Sequence, residues 1–175
     1  MIKCALVVGH TQKRPGAKNI NKNISEFDFN DDLARRIKDS CKTTIQLVYR
    51  KTLKELPDQV QELSPTFVIS LHCNAFDGTV SGTEVLYWHN STEGKKMAEV
   101  LQEHLVSFLR LPDRGIKPVK SGNSGSFLLG KVKVPSIISE AFFIDNDDDL
   151  ELASNNLDGL SESFADAIDE MSSLF

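Results

Sequence analysis

Short apolar runs alternate along the chain with longer segments whose apolar residues recur at helical spacing. Five runs have the length and composition of strands, at residues 2–8, 43–49, 66–72, 82–88 and 135–144. Helical spacing predicts helices at 26–41, 92–110 and 157–171, and a helix, or one broken at Pro57, at 52–63. Alternating strands and helices are typical of an α/β fold, in which helices cover both faces of a largely parallel sheet.

The boundaries of these elements carry local signals. In the helix predicted at 26–41, Phe29, Leu33 and Ile37 lie on one face, and Ser25 is placed to act as the N-cap. The segments 10–25 and 111–126 are polar, contain Gly and Pro, and are predicted to be loops. The sequence "SGNSGS" at 121–126 lacks the GK[ST] ending of a phosphate loop and the strand–GxSxG–helix context of a nucleophile elbow. We therefore interpret it as a surface loop.

Length and composition limit the class of protein. With 175 residues, of which 40% are hydrophobic and 26% charged, the chain is long enough for one sizeable core, so we expect a single domain over residues 1–175. No apolar run approaches the roughly 20 residues of a membrane helix, so membrane insertion is not expected. The net charge of −5 gives no support for binding to nucleic acid.

The cysteines and the N-terminal segment indicate the compartment of folding. Three cysteines without CxxC spacing argue against a disulfide framework and against a cysteine-based zinc site. The opening "MIKCALVVGHT" has a short apolar run and no small-residue cleavage site, which indicates a buried strand rather than a signal peptide. We expect synthesis in the cytoplasm without a signal peptide.

Polar side chains with useful chemistry collect at predicted strand ends. Ligands of open α/β sheets bind at the carboxyl ends of the strands. His10 and His72 each follow an apolar strand, Glu140 interrupts the last strand, and the loop that begins at His10 could bring Glu26 to the same edge. Two imidazoles and a carboxylate suit the three-ligand sites of catalytic zinc, and a further carboxylate would serve as general base.

Most of these residues also have a purely structural interpretation. A lone histidine at a strand end is commonly an edge residue, and Glu26, like Asp28, could simply complement the dipole of the first helix. Glu140 differs, because it lies between "SIIS" and "AFFI", where a strand should be buried. An unpaired buried carboxylate is costly and requires a metal, a base or a proton to explain it.

Three further residues are interpreted as structural. His89 follows a strand in a loop, and His104 lies on or beside the apolar face of the helix at 92–110. Cys73 is adjacent to His72 and could be a nucleophile. Because adjacent residues of a strand point to opposite faces, however, Cys73 is better interpreted as a small buried thiol.

Six motifs follow one another along nearly the whole chain. They are "VVGH" at 7–10, the pair Glu26 and Asn30, "SLHCNA" at 70–75, "GTEVLYW" at 82–88, "DRGIKP" at 113–118 and "VPSIISEAFFIDN" at 134–146. In this order they resemble the zinc-dependent N-acetylmuramoyl-L-alanine amidases of the amidase-3 family, which occur in bacterial autolysins and phage endolysins.

The resemblance implies a fold, a cofactor and a reaction. It implies a six-stranded, mostly parallel or mixed sheet between helices, a zinc ion bound by His10, Glu26 and His72, and Glu140 as the catalytic acid/base. The substrate would be peptidoglycan, both glycan strand and stem peptide, cut at the amide bond between N-acetylmuramic acid and L-alanine. The segment "TQKRPGAKN" after His10 departs from the Gly-rich sequence usual in the family.

The resemblance also bears on regulation and location. Between Trp88 and Asp113 the chain has room for little beyond one helix, so it resembles the uninhibited lytic members rather than those with an inhibitory insertion. Such an enzyme would act on the cell wall after membrane permeabilisation, or as a fragment of a secreted protein.

Finer roles and other functions remain open from the sequence. Arg114 or Lys117 is a candidate contact for stem-peptide carboxylates, and Asn74 is expected to fix a turn by bonding local backbone, or else to contact substrate. The alternative functions are a zinc peptidase acting on stem peptides and a non-catalytic wall-binding domain of the same fold.

Overall fold

The computed structural model describes residues 2–175 of the chain. Within that range the strands are β1 Lys3–Val8, β2 Lys18–Asn19, β3 Ile24–Ser25, β4 Thr44–Tyr49, β5 Phe67–Asn74, β6 Thr83–Trp88, β7 Asp113–Val119 and β8 Ser136–Phe143. The helices are α1 Glu26–Ser40, α2 Leu56–Glu62, α3 Thr92–Leu109, α4 Ser126–Lys131, α5 Asp147–Asn155 and α6 Leu157–Ser172.

Six of the strands form one mixed sheet in the order β4-β1-β5-β8-β6-β7. Strands β4, β1, β5 and β8 are parallel, β6 runs antiparallel to β8, and β7 is parallel to β6. The predicted six-stranded, mostly parallel sheet is confirmed. The short strands β2 and β3 form a separate antiparallel pair in the segment that was predicted to be a loop.

The sheet is buried on both faces. In β1, Cys4, Leu6 and Val8 face a core shared with α1, α3 and α6, whereas Ala5 and Val7 face a smaller core shared with α2 and α4. Burial on both faces explains why the central strands are continuously apolar rather than alternating. The expected helices on both faces are confirmed. Within residues 2–175, no helix combines the length and the apolar character needed to cross a membrane.

Helices α1 and α2 follow the sequence signals. Phe29, Leu33 and Ile37 are all buried on the face of α1 that packs on the sheet, and the hydroxyl of Ser25 accepts a hydrogen bond from the Asp28 amide at 3.2 Å, as an N-cap does. Pro57 lies in the first turn of α2, where proline is tolerated because that amide has no helical partner. The helix therefore begins near Pro57 and covers less than the predicted 52–63.

The prediction of a loop over 111–126 was wrong for its first half, because β7 occupies Asp113–Val119. This strand lies at the sheet edge and is mostly exposed, and it includes Gly115 and Pro118, which are depleted in strands. Its apolar pattern is therefore too weak to identify. The helices α4 and α5 were also not predicted, since they are short.

Candidate functional site

The register of the strands places five residues in one line across the sheet. Val8 pairs with both Tyr49 and Leu71, so the next residues, Arg50, Gly9 and His72, are neighbours. His72 pairs with Glu140, and Glu140 pairs with Glu84. We call Arg50, Gly9, His72, Glu140 and Glu84 the cross-strand row. Residues paired in register share a face, so the row points toward the side of the sheet covered by α2 and α4.

Two glycines pack against the histidines of the site. A side-chain carbon at Gly9 would lie 2.7 Å from Cε1 of His72, and one at Gly16 would lie 2.7 Å from Cδ2 of His10. Gly16 also has a φ of +80°, a backbone conformation that favours glycine. His10 itself has a φ of 65°, which directs its ring back toward α1. Close backbone packing therefore holds both imidazoles in place.

Glu26, the first residue of α1, connects the two histidines. Its Oε2 lies 3.0 Å from Nε2 of His10 and accepts a hydrogen bond from the Ala17 amide at 3.1 Å. Its Oε1 lies 2.8 Å from Nδ1 of His72 and accepts from the Cys73 amide at 3.1 Å. Glu26 is only 3% exposed. Both carboxylate oxygens thus have two partners each.

These partners determine the ionisation of Glu26. Burial alone would raise its pKa, but the hydrogen bonds and charges of His10 and His72 outweigh burial and lower the pKa to about 2. Glu26 is therefore an anion throughout the physiological range, which is the form that binds metal.

The same three side chains form a group able to hold a metal ion. One ligand atom from each of His10, Glu26 and His72 lies within 4.8 Å of the other two. A donor set of two imidazoles and one carboxylate, partly open to a cavity, fits the three-protein-ligand sites of catalytic metals. The structure therefore brings together the three residues that the sequence analysis singled out as possible ligands.

Glu140 lies beside this group, one strand from His72. Its Oε2 is inaccessible to solvent and has no hydrogen-bond partner among residues 2–175. Burial, followed by the nearby charges of Glu26 and Glu84, raises its pKa well above the ordinary value for glutamate. Glu140 is thus the acid of the site that most readily holds a proton.

A short polar chain flanks Glu140 on the far side. Glu84 accepts hydrogen bonds from Nδ2 of Asn74 at 3.0 Å and from Nε of Arg114 at 2.9 Å. Oδ1 of Asn74 accepts from the Ala75 amide at 3.0 Å, so the predicted bond to local backbone is confirmed. Arg114 also lies over the ring of Phe143 at 5.0 Å, which leaves it engaged within the protein.

A cavity of about 320 Å³ opens in front of the metal-binding group and Glu140. Several residues that line this cavity were not predicted from the sequence, namely Arg50, Leu53, Phe127, Ser124 and Gly125. The last two belong to the segment that was interpreted only as a surface loop. Arg50 had a usable signal, because it directly follows the strand predicted at 43–49, just as His10 and His72 follow theirs.

The residues interpreted as structural lie where expected. The Cys73 thiol is buried, and its sulfur is 3.6 Å from Nδ2 of Asn30 on the face of β5 opposite His72. His104 lies 2.9 Å from a carboxylate oxygen of Glu170, and the His89 ring stacks obliquely beside Trp88 at 5.0 Å. None of the three belongs to the metal-binding group.

Comparisons with known proteins identify the family. The model of the amidase-3 family, described as N-acetylmuramoyl-L-alanine amidase, matches residues 4–170. The N-acetylmuramoyl-L-alanine amidase LytC of Bacillus subtilis is 26% identical over 151 residues, which are 81% of this chain and 29% of LytC. An uncharacterised cell wall amidase of Bacillus anthracis is 34% identical over 86 residues, or 45% of this chain and 15% of that protein.

The structural comparison agrees at the level of the fold. The CwlD amidase of Clostridioides difficile, solved with the GerS lipoprotein, superposes with a TM-score of 0.87 at 20% identity, and the match covers 100% of both chains. The chain spans less than a third of the length of the LytC and Bacillus anthracis relatives. Because the family match covers nearly the whole chain, the chain belongs to the amidase-3 family of N-acetylmuramoyl-L-alanine amidases.

Proposed function

We propose that this protein hydrolyses the amide bond between N-acetylmuramic acid and L-alanine in bacterial peptidoglycan. In this proposal His10, Glu26 and His72 hold a zinc ion, Glu140 is the catalytic acid/base, and residues 1–175 act as a single catalytic domain on the cell wall. The family match supports the bond and the substrate class.

One observation carries the proposal. Glu140, whose Oε2 has no hydrogen-bond partner among residues 2–175, lines the same cavity as His10, Glu26 and His72. A non-catalytic domain has no need for an unpaired buried acid, because such a group destabilises the fold. Its retention next to a metal-binding group is the arrangement that hydrolysis requires.

The chemistry divides between the metal and Glu140. A zinc ion at such a site supplies a Lewis acid that polarises a carbonyl and makes water a better nucleophile. Glu140 takes one proton from the attacking water and donates it to the departing nitrogen of L-alanine, so that it ends the cycle in its starting state. A raised pKa suits this role, since it lets the carboxyl hold the proton that it then passes to the leaving nitrogen.

Product analysis of digested peptidoglycan tests the proposal. The purified, zinc-loaded protein should release new amino termini that are all alanine, with no increase in reducing sugar ends. New amino termini other than L-alanine would identify a peptidase, and new reducing ends a glycosidase. Binding to the wall without any new ends would identify a non-catalytic wall-binding domain. Each of these three results would reject the proposed amidase function.

A further inference from the structure

We propose that Arg50 binds a carboxylate of the stem peptide, and that it favours substrates in which the residue after L-alanine carries a free α-carboxylate. The inference rests on the proposed amidase function and specifies how the same cavity recognises its substrate. It assigns the role that the sequence suggested for Arg114 or Lys117 to a different residue, on the other side of the site.

Arg50 occupies one end of the cross-strand row. It comes directly after β4, beside Gly9, which in turn lies beside His72. Neighbouring strands are about 4.8 Å apart, so the backbone of Arg50 lies about 10 Å from that of His72. Gly9 has no side chain to fill the intervening space. The His72 ring packs over Gly9, and Arg50 and His72 line the same cavity.

Among residues 2–175, no side chain is paired with the charge of Arg50, whose guanidinium forms neither an ion pair nor a hydrogen bond there. Burial lowers the pKa of Arg50, and the charge of Glu26 acts in the opposite direction. Among the described residues that line the cavity, Arg50 is the only lysine or arginine. In contrast, Nε of Arg114 is bonded to Glu84 at 2.9 Å. Arg50 is thus the cavity-lining cation that remains available to a ligand.

The surroundings of Arg50 strengthen an interaction with an anion. Leu53 and Phe127, which are 51% and 38% exposed, line the same cavity as Arg50. A substrate that covers these apolar side chains would exclude water from the guanidinium. Charge-assisted hydrogen bonds gain strength in such a setting, and arginine can hold both oxygens of a carboxylate at once.

The chemistry of the substrate selects the stem peptide rather than the glycan. In the intact substrate the lactyl carboxyl of N-acetylmuramic acid is already tied up in the scissile amide, so the sugar side of the bond offers no carboxylate there. The peptide side carries free carboxylates. One peptide residue spans about 3.8 Å, so a separation of about 10 Å, shortened by the reach of the arginine side chain, corresponds to one or two residues beyond the scissile bond.

The test compares two soluble muropeptides and the zinc-loaded full chain. Both are N-acetylmuramoyl-L-Ala-γ-D-Glu-L-Lys, one with the glutamate α-carboxyl free and the other with it converted to a carboxamide. The wild type should show a KM about 10-fold or more lower for the free acid, as expected for a hydrogen-bonded charge pair. In Arg50→Gln the KM for the acid should rise to that for the amide, while kcat stays within about twofold, because the contact is equal in ground and transition states.

Two further variants control for charge and geometry. Lys51→Gln removes the same charge from the next, exposed position, and it should leave the ratio of the two KM values unchanged. Arg50→Lys keeps the charge but loses the planar fork, so it should retain only part of the preference for the acid. Thermal unfolding of each variant verifies that the fold is intact.

Defined results would overturn the inference. Equal KM values for the acid and the amide in the wild type would do so and would leave the amidase function standing. A fall in kcat or zinc content of Arg50→Gln with an unchanged acid-to-amide ratio would show instead that Arg50 acts through Glu26. If the wild type cleaves neither compound, the proposed function fails, and calorimetric titration of the same pair then decides the inference: equal affinities, or no binding, reject it.

Discussion

The two carboxylates of the site, Glu26 at the start of α1 and Glu140 on β8, have opposite environments. Glu26 accepts four hydrogen bonds, two of them from imidazoles, and its pKa falls to about 2. Glu140 has an oxygen without a partner among residues 2–175, and burial together with two acidic neighbours raises its pKa. Burial is common to both, so the difference comes from the neighbours. The surroundings of Glu26 stabilise its negative charge, whereas those of Glu140 favour its protonated form.

The largest expected effect comes from removing the proton carrier. Glu140→Gln keeps the shape of the side chain, so zinc should stay bound while turnover of a soluble muropeptide falls by roughly 10²- to 10⁴-fold, the usual contribution of general acid–base catalysis. Steady-state kinetics and metal analysis of the same preparation measure both quantities.

The matched control lies one strand away. Glu84→Gln makes the same chemical change in the same cross-strand row, but on β6. It weakens the hydrogen bonds from Asn74 and Arg114 and removes one of the two charges that raise the pKa of Glu140, so turnover should fall by less than about 10-fold. Near-normal turnover in Glu140→Gln together with a large loss in Glu84→Gln would show that the proton carrier is Glu84 on β6 and not Glu140 on β8.

A second, smaller effect concerns Glu26 and the two histidines beside it. His10→Ala, His72→Ala and Glu26→Gln should each weaken zinc binding by at least about 10- to 100-fold, because even outer partners of metal ligands contribute that much. Competition with a chelator of known affinity measures the loss. His104→Ala is the control, since that histidine pairs with Glu170 away from the cavity. Undiminished zinc affinity in the first three variants would refute the ligand assignment.

The smallest effect is on stability, and it has opposite sign for the two acids. In metal-free protein, Glu26 has a lowered pKa, so its stabilising contribution is present above pH 4.5 and is lost as the pH falls toward 2. From the values of 4.5 and about 2, Glu26→Gln should destabilise at pH 7 by at most about 3 kcal/mol.

Glu140→Gln should do the reverse. Because the folded-state pKa of Glu140 is raised, the contribution of this residue is most favourable below pH 4.5 and is lost as the pH rises through the folded-state value. Replacing it with glutamine should therefore stabilise the metal-free protein at neutral pH, with the difference vanishing in acid. Chemical denaturation of both variants at pH 4, 5.5 and 7 measures the change in the free energy of unfolding. A change of the same sign in both would mean that the contrast between Glu26 and Glu140 is not electrostatic.

The sequence was sufficient to predict the residues of the site that lie on strands or directly after them. His10, His72 and Glu140 could be predicted to lie together because parallel strands share one carboxyl edge, and that edge is where they are found. The two backbone donors to Glu26 could not be predicted, since they require the amides of Ala17 and Cys73 to approach α1 from different segments.

The missed residues have equally specific reasons. Glu84 is the second residue of β6, whose sequence does not differ from that of an ordinary strand, and only the antiparallel pairing of β6 with β8 brings Glu84 beside Glu140. Arg50 resembles the many solvated arginines that follow strands, and its lack of a partner becomes visible only when every neighbouring carboxylate is located. The edge strand β7 was missed because an exposed strand with Gly115 and Pro118 has no apolar pattern.

The reversal of β6 in the sheet has a practical consequence for handling an enzyme whose substrate is an insoluble polymer. Because β6 starts beside Glu140, it ends at the opposite edge, and the turn that contains the exposed Asn90 faces away from the cavity. Cys4 and Cys73 are buried and Cys41 is half-buried, so a cysteine introduced at position 90 would be the most accessible thiol of the described chain. Attachment to a bead or a fluorophore through that position would leave the mouth of the cavity directed outward, toward the bacterial cell wall.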